Sequence, residues 1–421
     1  MVEGWKSINL GQKCIFERGI EPGSSNYNTS EKGKRFLRVS DLTDSREDII
    51  FTDVKTDKNL KKGDICISLD GTVGIVRDDL EGVYSTGIRK VNFSEKEFSK
   101  KFIYYILKSD KIQKIIKFHS SGSTIIHAGK SINYFDIEIP EFLPEQQKIA
   151  EILTKVDETI EATEKIIAKD ERIKKGLMQD LFSKGIDENG NLRSEETHDF
   201  RDSELGRIPK EWNVMQLGVA VSKNKGSIQT GPFGSQLHAE DYKEEGIPII
   251  TVEHLSDNEI LHDNVPLVGD LDYKRLHKYV LKKGDLVFSR VGAIDRCSSV
   301  SDKENGWLFS GRCLRVRCGN TFDSMFLSYQ LNHYKCKQWI LNNAVGTTMA
   351  CLNTKILSEL PTLIPHLEEQ QKIASILSST DSKIQQEKQE LNKLKRIKQG
   401  LMQDLLTGKV RVNHLINDAA A

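Results

Sequence analysis

The chain has 421 residues, with 61 basic and 61 acidic side chains and a formal net charge of zero. This length allows two or three domains with real cores, while the balanced charge excludes a uniformly basic nucleic-acid coat and leaves any phosphate contact local or shared with partners. No apolar run nears the roughly eighteen residues of a membrane span and no basic-then-apolar leader opens the chain, so a cytoplasmic protein without membrane contact is expected; the cysteines never form CxxC, which argues against a disulfide framework or a zinc site.

From the N-terminus, Trp5 and Leu10-Gly11 open a region of short apolar runs broken by turn residues. Residues 36–39, 49–52, 65–69, 74–77 and 90–93 have the length and flanks of strands. Tyr105, Ile106, Ile112, Ile115 and Ile116 predict one helix over 102–116. A polar loop over 119–131 and a last strand at 134–139 lead to Pro144, where a helix can start.

That helix begins a repeat. EQQKIAEIL at 145–153 returns as EQQKIASIL at 369–377, and KKGLMQDLF at 174–182 returns as KQGLMQDLL at 398–406, at one fixed offset. Ile149, Leu153, Val156, Ile160, Ile167, Leu177 and Leu181 fall on one face of the first copy. Ile373, Leu377, Ile384, Leu391, Leu394, Leu401 and Leu405 do so in the second. Spacings of three and four mark a narrow coiled-coil seam, and each copy runs about forty residues, on the order of 60 Å. Gly408 is a plausible stop.

Between the copies, residues 185–204 are polar and read as a solvated linker. The plan of the first region then restarts: Trp212 and Leu217-Gly218 answer Trp5 and Leu10-Gly11, LKKGD at 281–285 repeats 60–64, and Gly346-Thr347-Thr348 answers Gly122-Ser123-Thr124. The expected domains are 1–143, 144–184 (helix), 185–204 (linker), 205–364, 365–408 (helix) and 409–421 (tail). The fold class is α+β, with two pseudo-repeated, mostly β domains separated by two long helices. Two similar halves that bind duplex DNA should share its two-fold axis, which makes those helices an antiparallel coiled coil.

This pattern, carried by EQQKIA with GLMQDL in both helices, SELGRIPKEW at 203–212, LKKGD twice and GPFGSQL at 231–237, resembles the specificity subunit of type I restriction and modification enzymes. The resemblance implies two target recognition domains that each read half of a split double-stranded DNA sequence. It implies helices that set the spacer and dock two methyltransferase subunits. It also implies no catalysis by this chain: S-adenosylmethionine and ATP belong on partners, ATP with the restriction and translocase subunit. A non-catalytic coiled-coil adaptor with protein-binding ends has the same layout. The one phosphate-loop lookalike, 122–131, has six residues between its glycines where four are needed, and no HExxH or other metal spacing occurs.

Bases are read by side chains on loops and strand ends held by a rigid scaffold. In the second domain the polar, glycine-rich 224–238 offers Lys225, Gln229, Ser235, Gln236 and His238. Arg290 and Arg296 flank the loop after an apolar strand. Arg312, Arg315 and Arg317 follow along another strand, where alternation is expected to place them on one face. The first domain offers Arg35, the turn at 70–74, Arg89 and Lys90. Ser123 and Thr124, like Thr347 and Thr348, either bind phosphate through hydroxyls and backbone N–H groups or position each domain on its helix.

Overall fold

Short β-branched and aromatic runs pair into small sheets in the computed structural model, which describes residues 2–43, 48–223, 225–232, 236–346 and 350–417. The chain divides into two compact units: Met1–Ile166 with Lys388–Ala421, and Ile167–Glu387. Each unit therefore holds one globular domain and part of each long helix.

In the first unit, helix α1 (Leu10–Lys13) follows a strand, Trp5–Asn9, that pairs antiparallel with Asp136–Pro140. One sheet runs Ile15–Arg18, Ile88–Asn92, Cys66–Ser68, Val76–Arg77, antiparallel throughout. A second runs Phe51–Thr52, Lys34–Leu37, Gly82–Tyr84, Asn59–Leu60, with its central pair parallel. The single helix expected over 102–116 is two, α2 (Lys100–Lys108) and α3 (Asp110–Phe118). Ser109 breaks it: its backbone is extended, and its hydroxyl accepts from the Ile112 N–H as the cap of α3. The first long helix, α4, spans Leu143–Leu181. Ile149 and Leu153 of α4 join Phe102, Ile106 and Ile112 in one apolar core.

The second unit repeats this plan. A sheet of Ser227–Thr230, Cys313–Arg317, Asp285–Ser289 and Cys297–Ser299 is again antiparallel. In its neighbour, Ile247–Ile250 runs parallel to Leu308–Phe309, as Lys34–Leu37 does to Gly82–Tyr84. Its helices are α5 (Leu217–Ser222), α6 (Asp270–Arg275), α7 (Ser324–Asn332), α8 (Tyr334–Asn343), α9 (Thr354–Glu359) and the second long helix, α10 (Leu367–Leu405). α7 and α8 break at His333, the counterpart of Ser109.

Within each unit α4 and α10 are antiparallel. In the first, Asp157 pairs with Lys398 at 2.6 Å and Glu164 with Lys395 at 2.8 Å; in the second, Asp170 pairs with Lys383 at 2.8 Å and Lys174 with Asp381 at 2.5 Å. Ile149, Leu153, Ile160, Ile167, Leu181, Ile373, Leu377, Ile384 and Leu405 are buried, whereas Val156, Leu177, Leu391, Leu394 and Leu401 are half-buried. Where the apolar pattern of α4 skips, the inward positions hold Thr163 and Asp170, both buried.

The repeated EQQ motif anchors each domain to its helix. Gln370 accepts from the Asp323 N–H and donates to the carbonyls of Thr321 and Pro365, and Gln146 does the same for Ser99, Glu97 and Pro140. Glu369 accepts from Arg193, Trp212 Nε1 and the Ile186 N–H, all in a buried cluster. Glu145 holds Arg411 in the same way, at 2.5 and 2.8 Å. Gly185 is required in the first of these clusters: at φ +62°, a Cβ there would lie 2.4 Å from Trp212. Tyr105 donates to Asp157 and Tyr329 to Asp381, so the acidic partners of Lys398 and Lys174 also tie their domains down.

Candidate nucleic-acid interface

In each unit two loops are stitched together by the backbone. In the first, Gly71 N–H donates to Ile126 and Ala128 N–H to Leu69, so the polar loop at 121–127 lies on the turn at 70–74. In the second, Gly292 N–H donates to Ala350 and Leu352 N–H to Arg290. The candidate stretches 70–74 and 122–124, fifty residues apart in sequence, therefore form one platform. His127 Nδ1 lies 2.8 Å from Asp70, and Asp70 also pairs with Arg89 at 3.1 Å. Ser123 and Thr124 are exposed at the loop's tip, beside exposed Ile125 and Ile126.

Several basic candidates face inward. Arg89 is buried, donates to the Ile88 carbonyl at 3.3 Å, and burial pushes its pKa down despite Asp70. Lys90 sits 2.7 Å from Asp64, the aspartate of the first LKKGD. Burial pushes the Asp64 carboxyl up, but the bonds from Lys90 and the Lys61 N–H outweigh this and hold it below its ordinary value. The second LKKGD does the same work: Asp285 accepts from the Lys282 N–H and from Arg317 at 2.6 and 2.7 Å. The repeated motif is thus a turn that neutralises a strand cation. Arg35 is half-buried, 3.6 Å from Asp41.

The expectation that Arg312, Arg315 and Arg317 share a face does not hold. Strand alternation puts only residues two apart on the same side. Arg315 and Arg317 both reach the Val280 carbonyl, and Arg315 is buried over the Phe309 ring. Arg312 precedes the strand Cys313–Arg317 and is exposed.

Arg312 instead joins Arg290. The Arg290 N–H donates to the Arg312 carbonyl at 2.8 Å, and both side chains line an open cavity of about 440 Å³ with Tyr242, Thr251, Glu253 and Ser310. The sequence reading missed Tyr242, Thr251 and Glu253. Their only local signal is the polar pair in Thr251-Val252-Glu253, where the Thr251 hydroxyl donates to Glu253 at 3.3 Å. Arg296 is exposed at the other end of the Arg290 turn, as are Lys225, in left-handed backbone, and His238. Gln229 is half-buried within its strand. Gln236 is held in place, accepting from Tyr279 at 2.7 Å. Ser235, Thr347 and Thr348 lie outside the described residues. This arrangement presents cationic donors, a carboxylate acceptor and hydroxyls on one concave surface, the group types that read base edges. Among the described residues no cluster of three or more His, Cys, Asp or Glu could hold a metal, and no helix is long and apolar enough to cross a membrane.

Two copies of one mostly β domain, each with a stitched loop platform and each anchored to a repeated helix, define a doubled recognition subunit. The chain belongs to the type I restriction modification DNA specificity domain family, whose model matches residues 2–172 and 209–396, and its work is accordingly DNA recognition as a type I specificity subunit. It is 27% identical over 98% of its length to the type I restriction enzyme MjaVIII specificity subunit of Methanocaldococcus jannaschii, covering 94% of that protein. It is 22% identical to the EcoBI specificity subunit of Escherichia coli, over 88% of this chain and 78% of that one. In fold it resembles the crystal structure of a type I restriction-modification S subunit from M. genitalium, with a TM-score of 0.61, 18% identity and 96% of each chain covered.

Proposed function

We propose that each unit reads one half of a split DNA target through its loop platform, with α4 and α10 fixing the unread spacer and docking methyltransferase subunits. The observation that carries this reading is the duplication of the platform itself, 70–74 with 121–127 and 290–292 with 350–352, on helices of equal length. Contacts by Arg290, Arg296, Arg312 and Glu253 in one unit, and by the tip at Ser123 and Thr124 in the other, supply base and phosphate readout. Arg89 and Lys90 hold the platform in shape.

The chain performs no chemistry in this scheme. S-adenosylmethionine and ATP sit on the partners, two methyltransferase subunits and the restriction subunit. Near-zero net charge agrees with partners closing round the duplex and adding phosphate contacts. Methylation mapping of DNA from cells carrying the system tests the scheme. A bipartite motif with one methyl per strand is expected, and an undivided motif overturns it. Native mass spectrometry should find two methyltransferase subunits at saturation; one subunit refutes that stoichiometry. A gel shift with and without the methyltransferase separates this reading from an adaptor, which binds no specific DNA under either condition.

A further inference from the structure

The two units differ around the break between their paired short helices. In the second, Leu205 and Ile208 of the segment before Trp212 are buried in the same core as Phe182. Lys335, in the first turn of α8, donates to the Leu205 carbonyl at 2.5 Å, and the Phe182 ring lies 5.5 Å from that of His333. The counterparts in the first unit are Lys111 in the first turn of α3, Leu406 directly after the repeated GLMQDL, and Ser109 at the helix break. Smaller side chains stand where Phe182 and His333 fill space. The result is a groove of about 330 Å³ between the α2–α3 junction and the last turns of α10, with Ile106, Ile137, Met402 and Leu406 among its walls.

Charge and shape define what fits. Lys108 and Lys111 line the groove beside Asp110 and Glu138, while Lys395 and Lys398, also in its wall, are taken up by Glu164 and Asp157. Lys111 is exposed, placed as Lys335 is to meet a backbone carbonyl. The peptide that fills the corresponding place in the second unit carries Asp202 and Glu204 ahead of Leu205. We propose that the groove of the first unit takes an extended peptide segment of a partner protein, with two apolar side chains three positions apart behind an acidic flank. A second copy cannot readily supply it, because its own Leu205 and Ile208 are buried in its own core.

The probe is a fluorescent peptide of residues 201–210, RDSELGRIPK, added to the full chain and followed by anisotropy. Saturable binding is expected, lost when both apolar side chains of the peptide are alanine. K111E, on the exposed rim, should weaken binding at least tenfold. The double substitution S109H/L406F should abolish it, since the second unit accommodates that pair of side chains, and circular dichroism checks that this variant folds. Absence of saturable binding to the wild-type chain, or equal binding to the K111E and S109H/L406F variants, overturns the proposal. So does concentration-dependent self-association that S109H/L406F abolishes, which assigns the groove to a second copy.

Discussion

At the scale of single residues, two buried groups make quantitative claims. Glu369 neutralises Arg193, whose side chain is only 8% exposed, whereas its counterpart Glu145 faces Arg411 at 29% exposure. Removing one member of a buried pair strands the other charge, at a cost of about 3–5 kcal/mol. Glu369→Ala should therefore destabilise by about 3 kcal/mol in urea unfolding, less than the upper end because Glu211 also reaches Arg193. Glu145→Ala should cost less, since Arg411 can hydrate; equal losses contradict the comparison. His333 makes the second claim. Burial, with Lys335 nearby, lowers its pKa from 6.5 to about 4, and its Nε2 is buried without a partner. Because the folded pKa is depressed, the unfolded chain binds the proton first as pH falls. The stability this provides is complete above pH 6.5 and lost toward pH 4, by about 1.4 kcal/mol per pH unit. His333→Ser, which installs the residue found at 109, should lack this slope, so that the stability difference between variant and wild type changes with pH below 6.5, while a parallel slope in both proteins refutes it.

At the scale of elements, apolar spacing made the two long helices legible in the sequence, but not strands such as Trp5–Asn9, Ile15–Arg18 and Gly82–Tyr84. It could not find the break at Ser109, because the apolar spacing runs on across it and only the hydroxyl's local bonds end α2. Nor could it find that Arg89 and Lys90 face inward: their partners Asp70 and Asp64 sit across a sheet, and such pairings are invisible in one sequence. The clustering of Tyr242, Thr251 and Glu253 with Arg312 is likewise a product of tertiary packing. Within the seam, Asp170 occupies an inward position and reaches Lys383, which is 58% exposed. Replacing a buried ion pair by an apolar contact is often neutral or stabilising, and Lys383 can extend into water when freed. Asp170→Leu should raise the melting temperature, with a gain of about 1 kcal/mol. A fall of that size would mean instead that the pair stabilises the coil directly.

At the scale of the whole molecule, the proposed function makes helix length a measure of DNA. α4 and α10 each have 39 residues, about 58 Å at 1.5 Å rise per residue, longer than one DNA turn of about 34 Å. Seven residues are two turns of a coiled-coil helix, so a heptad inserted at the middle of both helices leaves each seam in phase. It lengthens each helix by about 10 Å. At 3.4 Å per base pair along each strand, the unread spacer should grow by about three base pairs while both half-site sequences stay the same. Four inserted residues instead interrupt the heptad phase and unwind the coil locally, so they should blur or abolish the new spacing. Methylation maps from cells carrying each insertion read both outcomes directly. A heptad variant that methylates the original motif with its original spacer separates helix length from target geometry and leaves the loops alone to set it.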